Sequence, residues 1–81
     1  MKGKEPIMLQ MKEGMFYGLN PPAMIGDKIF HKVQCEYQVP RRPNEFVVKG
    51  IPQGATEIES FVLRFTPNGR VRPLPSSEQN F

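Results

Sequence analysis

Cysteine, histidine and tryptophan are scarce in this chain, and each shortage removes a kind of chemistry. The 81 residues include one cysteine, one histidine and no tryptophan. Cys35 alone cannot form an intramolecular disulfide, and Cys35 with His31 falls short of a four-ligand structural zinc site. We therefore expect no disulfide, no metal and no cofactor. Because no N-glycosylation acceptor occurs either, we expect a cytoplasmic protein.

Long apolar runs are also missing. The segment MKGKEPIMLQMKEG at the N-terminus contains only a short apolar stretch, interrupted by Glu5, Pro6, Gln10 and Lys12. It ends well before the length of a signal-peptide core or a membrane span. We expect this segment to belong to the fold, residues 1–81 to form a single domain with one modest core, and no membrane to be a partner.

Nine prolines and seven glycines leave little room for a helix longer than about ten residues. Short strands fit between these breaks, and the clearest is IFHKVQCEYQV over residues 29–39. Its odd positions are mostly apolar and its even positions mostly polar, which is the period of a half-buried strand. This pattern predicts His31, Cys35 and Tyr37 on the core face and Phe30 on the polar face.

Two segments have the pattern of a β-hairpin with a three-residue loop that ends in glycine. The loops are Lys12-Glu13-Gly14 and Pro67-Asn68-Gly69, and each suits a type I turn followed by a left-handed glycine. In the second hairpin this register pairs Arg64 with Arg72. It also gives four apolar residues a common face, namely Phe61, Leu63, Phe65 and Val71.

In the first hairpin the same register pairs Ile7 with Leu19 and Leu9 with Tyr17, and it leaves Phe16 on the face away from the core. The alternative is a short helix through three methionines, Met8, Met11 and Met15, although the nearby glycines weaken it.

These elements together predict an all-β fold. We expect a small antiparallel barrel or sandwich of about five or six short strands, including the two β-hairpins. NPPAMIGD and PRRPN are expected to be loops, PQGAT a turn, and residues 75–81 a flexible C-terminal tail. The pattern does not separate an OB-like barrel from an SH3-like barrel or another type.

No group of residues predicts catalysis. His31 and Cys35 share a strand face but lie roughly 13 Å apart at about 3.3 Å per residue, so they cannot share a proton. Glu57 and Glu59 lie two residues apart on one strand face, a spacing compatible with a catalytic carboxylate pair, but no aromatic sugar platform accompanies them. No phosphate-binding glycine loop or nucleophile elbow occurs. We predict a protein that is not an enzyme, with a reactive Cys35 as the remote alternative.

Basic residues are the remaining feature, with a net charge of +3. Like charges that face each other across strands are unfavourable, so an arginine stack on the second hairpin is explained best by an anionic partner. The predicted basic face consists of Arg64, Arg70 and Arg72, extended by Arg41, Arg42 and Lys49.

The leading prediction is a small binding module that works by protein–protein contact, as an adaptor, inhibitor or assembly factor would. The arginines would bind an acidic partner surface, and Phe16, Phe30 or Val62 would supply the apolar anchor. Small phage-encoded regulators often have this profile. The alternative is a nucleic-acid-binding β-barrel that contacts phosphates through the same basic residues. A homodimer also remains open, because Ile58 and Val62 place apolar residues on both faces of their strand.

Overall fold

Five antiparallel strands form one sheet in the computed structural model, which describes residues 11–65 and 70–81. The predicted all-β class is confirmed. The elements are β1 (Phe16–Ile25), β2 (Lys28–Gln38), β3 (Glu45–Gly50), β4 (Glu59–Arg64), β5 (Arg70–Pro73) and a 3₁₀ turn (Ser76–Glu78).

The strand order is β4-β3-β2-β1-β5, so β4 and β5 occupy the two edges of the sheet. In a flat sheet these edges would lie about 19 Å apart, at four spacings of about 4.8 Å. Instead, Leu63 and Phe65 from the β4 side and Val71 from β5 line one small cleft and pack on the same core. The sheet is therefore curled into a barrel that stays open along a seam between β4 and β5.

The predicted pairing in the second hairpin is wrong. Among the described residues β4 pairs with β3 and β5 pairs with β1, so Arg64 lies opposite Glu45 and Arg72 lies opposite Gly18. The predicted loop over 67–69 lies outside the described residues. The alternation of side chains along β4 and β5 fits both the predicted and the observed pairing. It determines which face a side chain lies on, and not which strand lies beside it.

The core lies on the inner face of the curled sheet. Its buried members come from the N-terminal segment and the first three strands, and they are Met11, Tyr17, Phe30, Val33, Cys35, Phe46 and Val48. The apolar face predicted for the second hairpin is confirmed as a set, since Phe61, Leu63, Phe65 and Val71 all pack against this core. Both β4 and β5 therefore direct these apolar residues inward, although the two strands do not pair with each other.

The alternation predicted along β2 is broken at two places. Cys35 lies opposite Val48 and Tyr37 lies opposite Val47, so Glu36 is an extra residue that turns Tyr37 outward. Near the other end, a register shift in the β1–β2 pairing accompanies the burial of Phe30, which is 1% exposed. The predicted outward position of Phe30 and inward position of Tyr37 are therefore both wrong.

The predicted left-handed glycine of the first hairpin is confirmed. Gly14 has a φ of +84°, and the Met15 N–H donates to the Lys12 carbonyl across a turn. However, Tyr17 is flanked by Val33 on β2 and by Pro73 on β5. The predicted partner of Tyr17, Leu9, lies outside the described residues.

Residues 11–15 form this turn and not a helix, which counts against the helical alternative over that part of the chain. Ile7, Met8 and Leu9 lie outside the described residues.

The proline-rich segment predicted as a loop is instead the second half of β1. Ile25 pairs with Lys28 across the two-residue loop Gly26-Asp27, in which Gly26 has a φ of +64°. A Gly-Asp dipeptide between strands is a known hairpin signal. The predicted turn in PQGAT is confirmed, since the Ala55 N–H donates to the Pro52 carbonyl.

Candidate partner-binding cleft

The seam between β4 and β5 contains an open cleft of about 140 Å³, which we call the seam cleft. Arg64 and Arg70 line its rim, one from each edge of the sheet. The remaining lining residues are apolar and come from β1, the end of β4 and β5: Leu19, Pro21, Pro22, Ala23, Leu63, Phe65 and Val71.

Local sequence explains this arrangement. Leu63 and Phe65 point inward, while Arg64 between them points outward, because side chains alternate along a strand. On β1, two consecutive prolines lack the N–H groups that a sheet ladder requires, and the register with β2 shifts between Gly18 and Ala23. This irregular part of β1 forms the wall of the seam cleft.

Charges on the rim are only partly balanced. The Arg64 Nη2 and Nε donate to the Glu45 Oε2 at 2.9 and 3.1 Å. The Arg42 Nη1 approaches the same oxygen at 3.6 Å. Among the described residues, no carboxylate pairs with Arg70. Arg64 and Arg42 therefore share one carboxylate, and Arg70 adds a further positive charge at the seam cleft.

The third arginine of the predicted stack lies apart from Arg64. Arg72 shares the outer face of β5 with Arg70, and its guanidinium lies over Gly18, where an added Cβ would be 3.8 Å from Arg72 Cζ. Lys32 flanks Gly18 on the other side. Gly18 thus lies between two cations, Arg72 and Lys32. The sequence analysis did not include Lys32 in the basic face, because it did not predict that β1 pairs with both β2 and β5.

Lys49 and Arg41 also lie away from the seam cleft lining. Lys49 is half-buried on the outer face of β3, between Gln34 and Ser60. Arg41 has a φ of +66° in the turn closed by the Arg42 N–H and the Val39 carbonyl. Glycine or asparagine is usual at such a position, so Arg41 holds a strained backbone.

Two of the three predicted apolar anchors are not exposed. Phe30 belongs to the core, where its ring centroid lies 4.4 Å from that of Phe61. Phe16 points away from the core as predicted, but it is only 4% exposed, because the C-terminal segment covers it. Val62 remains half exposed on the outer face of β4. Its role in binding stays a prediction.

An exposed apolar row was missed from the sequence. Val62 lies opposite Val47, and Val47 lies opposite Tyr37, so the three side chains run across β4, β3 and β2. Tyr37 is 48% exposed. Only the bulge at Glu36 places Tyr37 in this row, and nothing in the local pattern signals that bulge.

The residues considered for catalysis are dispersed. His31 is exposed and its Nε2 lies 2.6 Å from the Gln53 Oε1, whereas Cys35 is buried on the inner face. Burial is the main cause that raises the pKa of the Cys35 thiol above its ordinary value. The Lys28 Nζ lies 2.6 Å from both carboxylate oxygens of Glu59. This hydrogen bond raises the pKa of Lys28.

The described part of the chain contains neither a cluster of metal ligands nor a membrane-spanning helix. No group of three or more histidine, cysteine, aspartate or glutamate side chains there could hold a metal ion. Within residues 11–65 and 70–81, no helix has the length and apolar character needed to cross a membrane.

The fold and the seam cleft define a small all-β domain with one curled antiparallel sheet and an open seam. No protein-family model, curated protein or solved structure matches the chain.

Proposed function

We propose that this chain is a non-enzymatic binding module that acts by protein–protein contact, as an adaptor, inhibitor or assembly factor. Its partner presents an acidic surface with an apolar side chain at the centre of the contact. The observation that carries the proposal is the seam cleft, which combines an apolar floor with Arg64 and Arg70 on its rim.

The size of the seam cleft suits one partner side chain. A cavity of about 150 Å³ is large enough for a benzene ring, and this cleft has about 140 Å³. Burying a leucine or phenylalanine contributes about 1.5–3 kcal/mol. An apolar side chain inserted beside arginine is a frequent centre of protein interfaces.

The two rim arginines would contribute differently. Arg70 has no carboxylate partner among the described residues, so a partner carboxylate would gain a charge-assisted hydrogen bond without displacing one. Arg64 is hydrogen-bonded to Glu45, which orients its guanidinium and offsets part of its positive charge. We therefore expect Arg70 to matter more than Arg64 for affinity.

The nucleic-acid alternative has less support. Its basic residues lie on separate parts of the sheet, with Arg70 and Arg72 on β5, Lys49 half-buried on β3, and Arg42 beside Glu45. A nucleic-acid groove requires cations that follow a phosphate backbone, while an apolar cleft of one side chain's size has no use in contacting phosphates.

The test is affinity capture from the cells that make this protein, with three immobilised forms of the full chain. These are the unaltered chain, Arg70→Glu, and Lys12→Glu as a control with the same change in charge. Lys12 is exposed and does not line the seam cleft. We expect one protein to be retained by the unaltered chain and by Lys12→Glu and to be lost with Arg70→Glu.

A parallel titration against random single- and double-stranded nucleic acids, followed by fluorescence anisotropy, distinguishes the alternative. Micromolar binding that weakens steeply between about 50 and 200 mM salt would contradict the proposal and favour phosphate contacts.

A further inference from the structure

We infer that the partner docks as an extended strand on the free edge of β4, with one of its apolar side chains in the seam cleft. This inference rests on the proposed function, because it states how the partner protein binds. It follows from the direction of the backbone groups on the two edges of the sheet and from the charges beside them.

The direction of the β4 backbone groups is set by one hydrogen bond. The Phe65 N–H donates to the Asn44 carbonyl at 2.8 Å, which points it towards β3. In an antiparallel pair, alternate residues direct both N–H and C=O to the same neighbour. The backbone N–H and C=O groups of Phe61 and Leu63 therefore bond to β3. Those of Ser60, Val62 and Arg64 point the opposite way, to the free edge of β4. Among the described residues, no strand pairs with that edge.

The edge of β5 is less suited to receive a strand. The Leu74 N–H donates to the Phe16 carbonyl at 3.2 Å, so Arg70 and Arg72 also direct their backbone groups to β1. Only Val71 and Pro73 face the seam from β5, and proline has no N–H to donate. A proline of this kind blunts a sheet edge. The geometry thus favours β4 as the acceptor.

The side chains of β4 indicate the sequence of the added strand. Directly opposed residues on neighbouring strands share a face of the sheet. A residue opposite Arg64 would lie on the outer face and is expected to be acidic. Residues opposite Leu63 and Phe65 would point inward, where the seam cleft accepts an apolar side chain. The partner is therefore an extended segment that alternates apolar and acidic residues, bound by β-strand addition.

The probe is a synthetic peptide of three valines alternating with two glutamates, flanked by threonines and blocked at both ends. It is titrated into the full chain, and amide hydrogen exchange is followed by NMR. In the free protein we expect fast exchange at Ser60, Val62 and Arg64 and slow exchange at Phe61 and Leu63. On binding we expect exchange at the first three amides to slow by about tenfold or more.

Two variants sharpen this test. Val62→Pro removes one edge N–H without removing a hydrogen bond to β3, and we expect peptide affinity to fall about tenfold. Val62→Thr keeps the N–H and a similar shape, and we expect affinity within about twofold of the unaltered chain. If Val62→Pro fails to fold, peptides N-methylated at alternate positions replace it, since only the amides that face β4 should be sensitive to methylation.

Several outcomes would overturn the inference. These are no peptide binding up to about 1 mM, binding that leaves the three edge amides unprotected, or protection of those amides in the free protein. Protection that grows with protein concentration would assign the edge to a second copy of this chain, and protection independent of concentration would assign it to the chain itself. Capture of a partner that depends on Arg70 but survives Val62→Pro would overturn strand addition and leave the proposed function intact.

Discussion

Phe16 on β1 and Val62 on β4 are apolar residues on the outer face of the same sheet, yet their surroundings differ. Phe16 is 4% exposed and Val62 is 50% exposed. The ring of Phe81 meets that of Phe16 edge-on, with centroids 4.8 Å apart. Lys32 places its Nζ 5.6 Å from the centre of the Phe16 ring. No comparable cover lies over Val62 within the described residues.

The cover over Phe16 is held by specific hydrogen bonds. The Gln79 Oε1 accepts from the Phe16 N–H at 2.7 Å, and its Nε2 donates to the carbonyls of Phe16 and Leu74 at 3.0 and 2.8 Å. The C-terminal segment, predicted to be flexible, therefore has defined contacts in the structure. The comparison shows that the C-terminal segment covers the outer face at β1, whereas the described residues leave it open at β4.

The largest difference in the free energy of unfolding is expected between alanine substitutions at Phe16 and at Val62. Truncation of a buried phenylalanine costs about 3–5 kcal/mol, so we expect Phe16→Ala to lower the free energy of unfolding by about 3 kcal/mol. Val62→Ala should change it by less than about 0.5 kcal/mol, because the side chain is half exposed. Urea denaturation of both variants measures this. Equal losses would show that Val62 is covered after all.

A smaller effect is expected from the side chain that anchors the cover. Gln79→Ala removes three hydrogen bonds and leaves the Phe16 N–H without that acceptor, which should cost about 1–3 kcal/mol. Asn80→Ala, its neighbour in the same segment, loses one exposed bond to the Ser77 carbonyl and should cost less than about 0.5 kcal/mol. Indistinguishable unfolding midpoints in urea would argue against an ordered cover.

On the inner face, the buried thiol of Cys35 makes the free energy of unfolding depend on pH. Burial raises the pKa of the Cys35 thiol, so the folded state keeps the proton where the unfolded chain releases it. This contribution to stability is complete below the ordinary thiol pKa of about 8.5 and is lost as pH rises towards the folded-state pKa.

At pH 9 we expect a loss of less than about 1 kcal/mol relative to pH 7. Urea unfolding at both pH values, compared with Cys35→Ala, isolates this thiol from other groups. A loss of the same size in Cys35→Ala would assign the effect elsewhere.

The smallest effects are expected at the rim of the seam cleft. Arg64→Ala breaks an exposed ion pair with Glu45 and should lower stability by about 0.2–1 kcal/mol. Arg70→Ala breaks no ion pair with a described carboxylate and should leave stability unchanged within about 0.3 kcal/mol. Thermal unfolding at low and high salt tests both variants, since only the Arg64 effect should shrink with salt. A larger effect at Arg70 would reveal a structural partner.

Half of the seam cleft was predictable from the sequence. The inward positions of Leu63, Phe65 and Val71 and the outward position of Arg64 follow from the alternation along each strand. The contribution of β1 was not predictable, because Pro21 and Pro22 indicate a loop by every local rule. In the structure they belong to β1, at the place where its register with β2 shifts.

Local sequence is sufficient to predict the all-β class, the turns that contain Gly14 and Gly54, and the inward face of β4 and β5. These features depend on neighbouring residues, through side-chain alternation and the conformational freedom of glycine. The folded structure is needed to know which strands are neighbours, where the seam opens and what covers Phe16. Those outcomes depend on contacts between distant parts of the chain, such as Gln79 with Phe16, 63 residues apart, and local patterns carry no information about them.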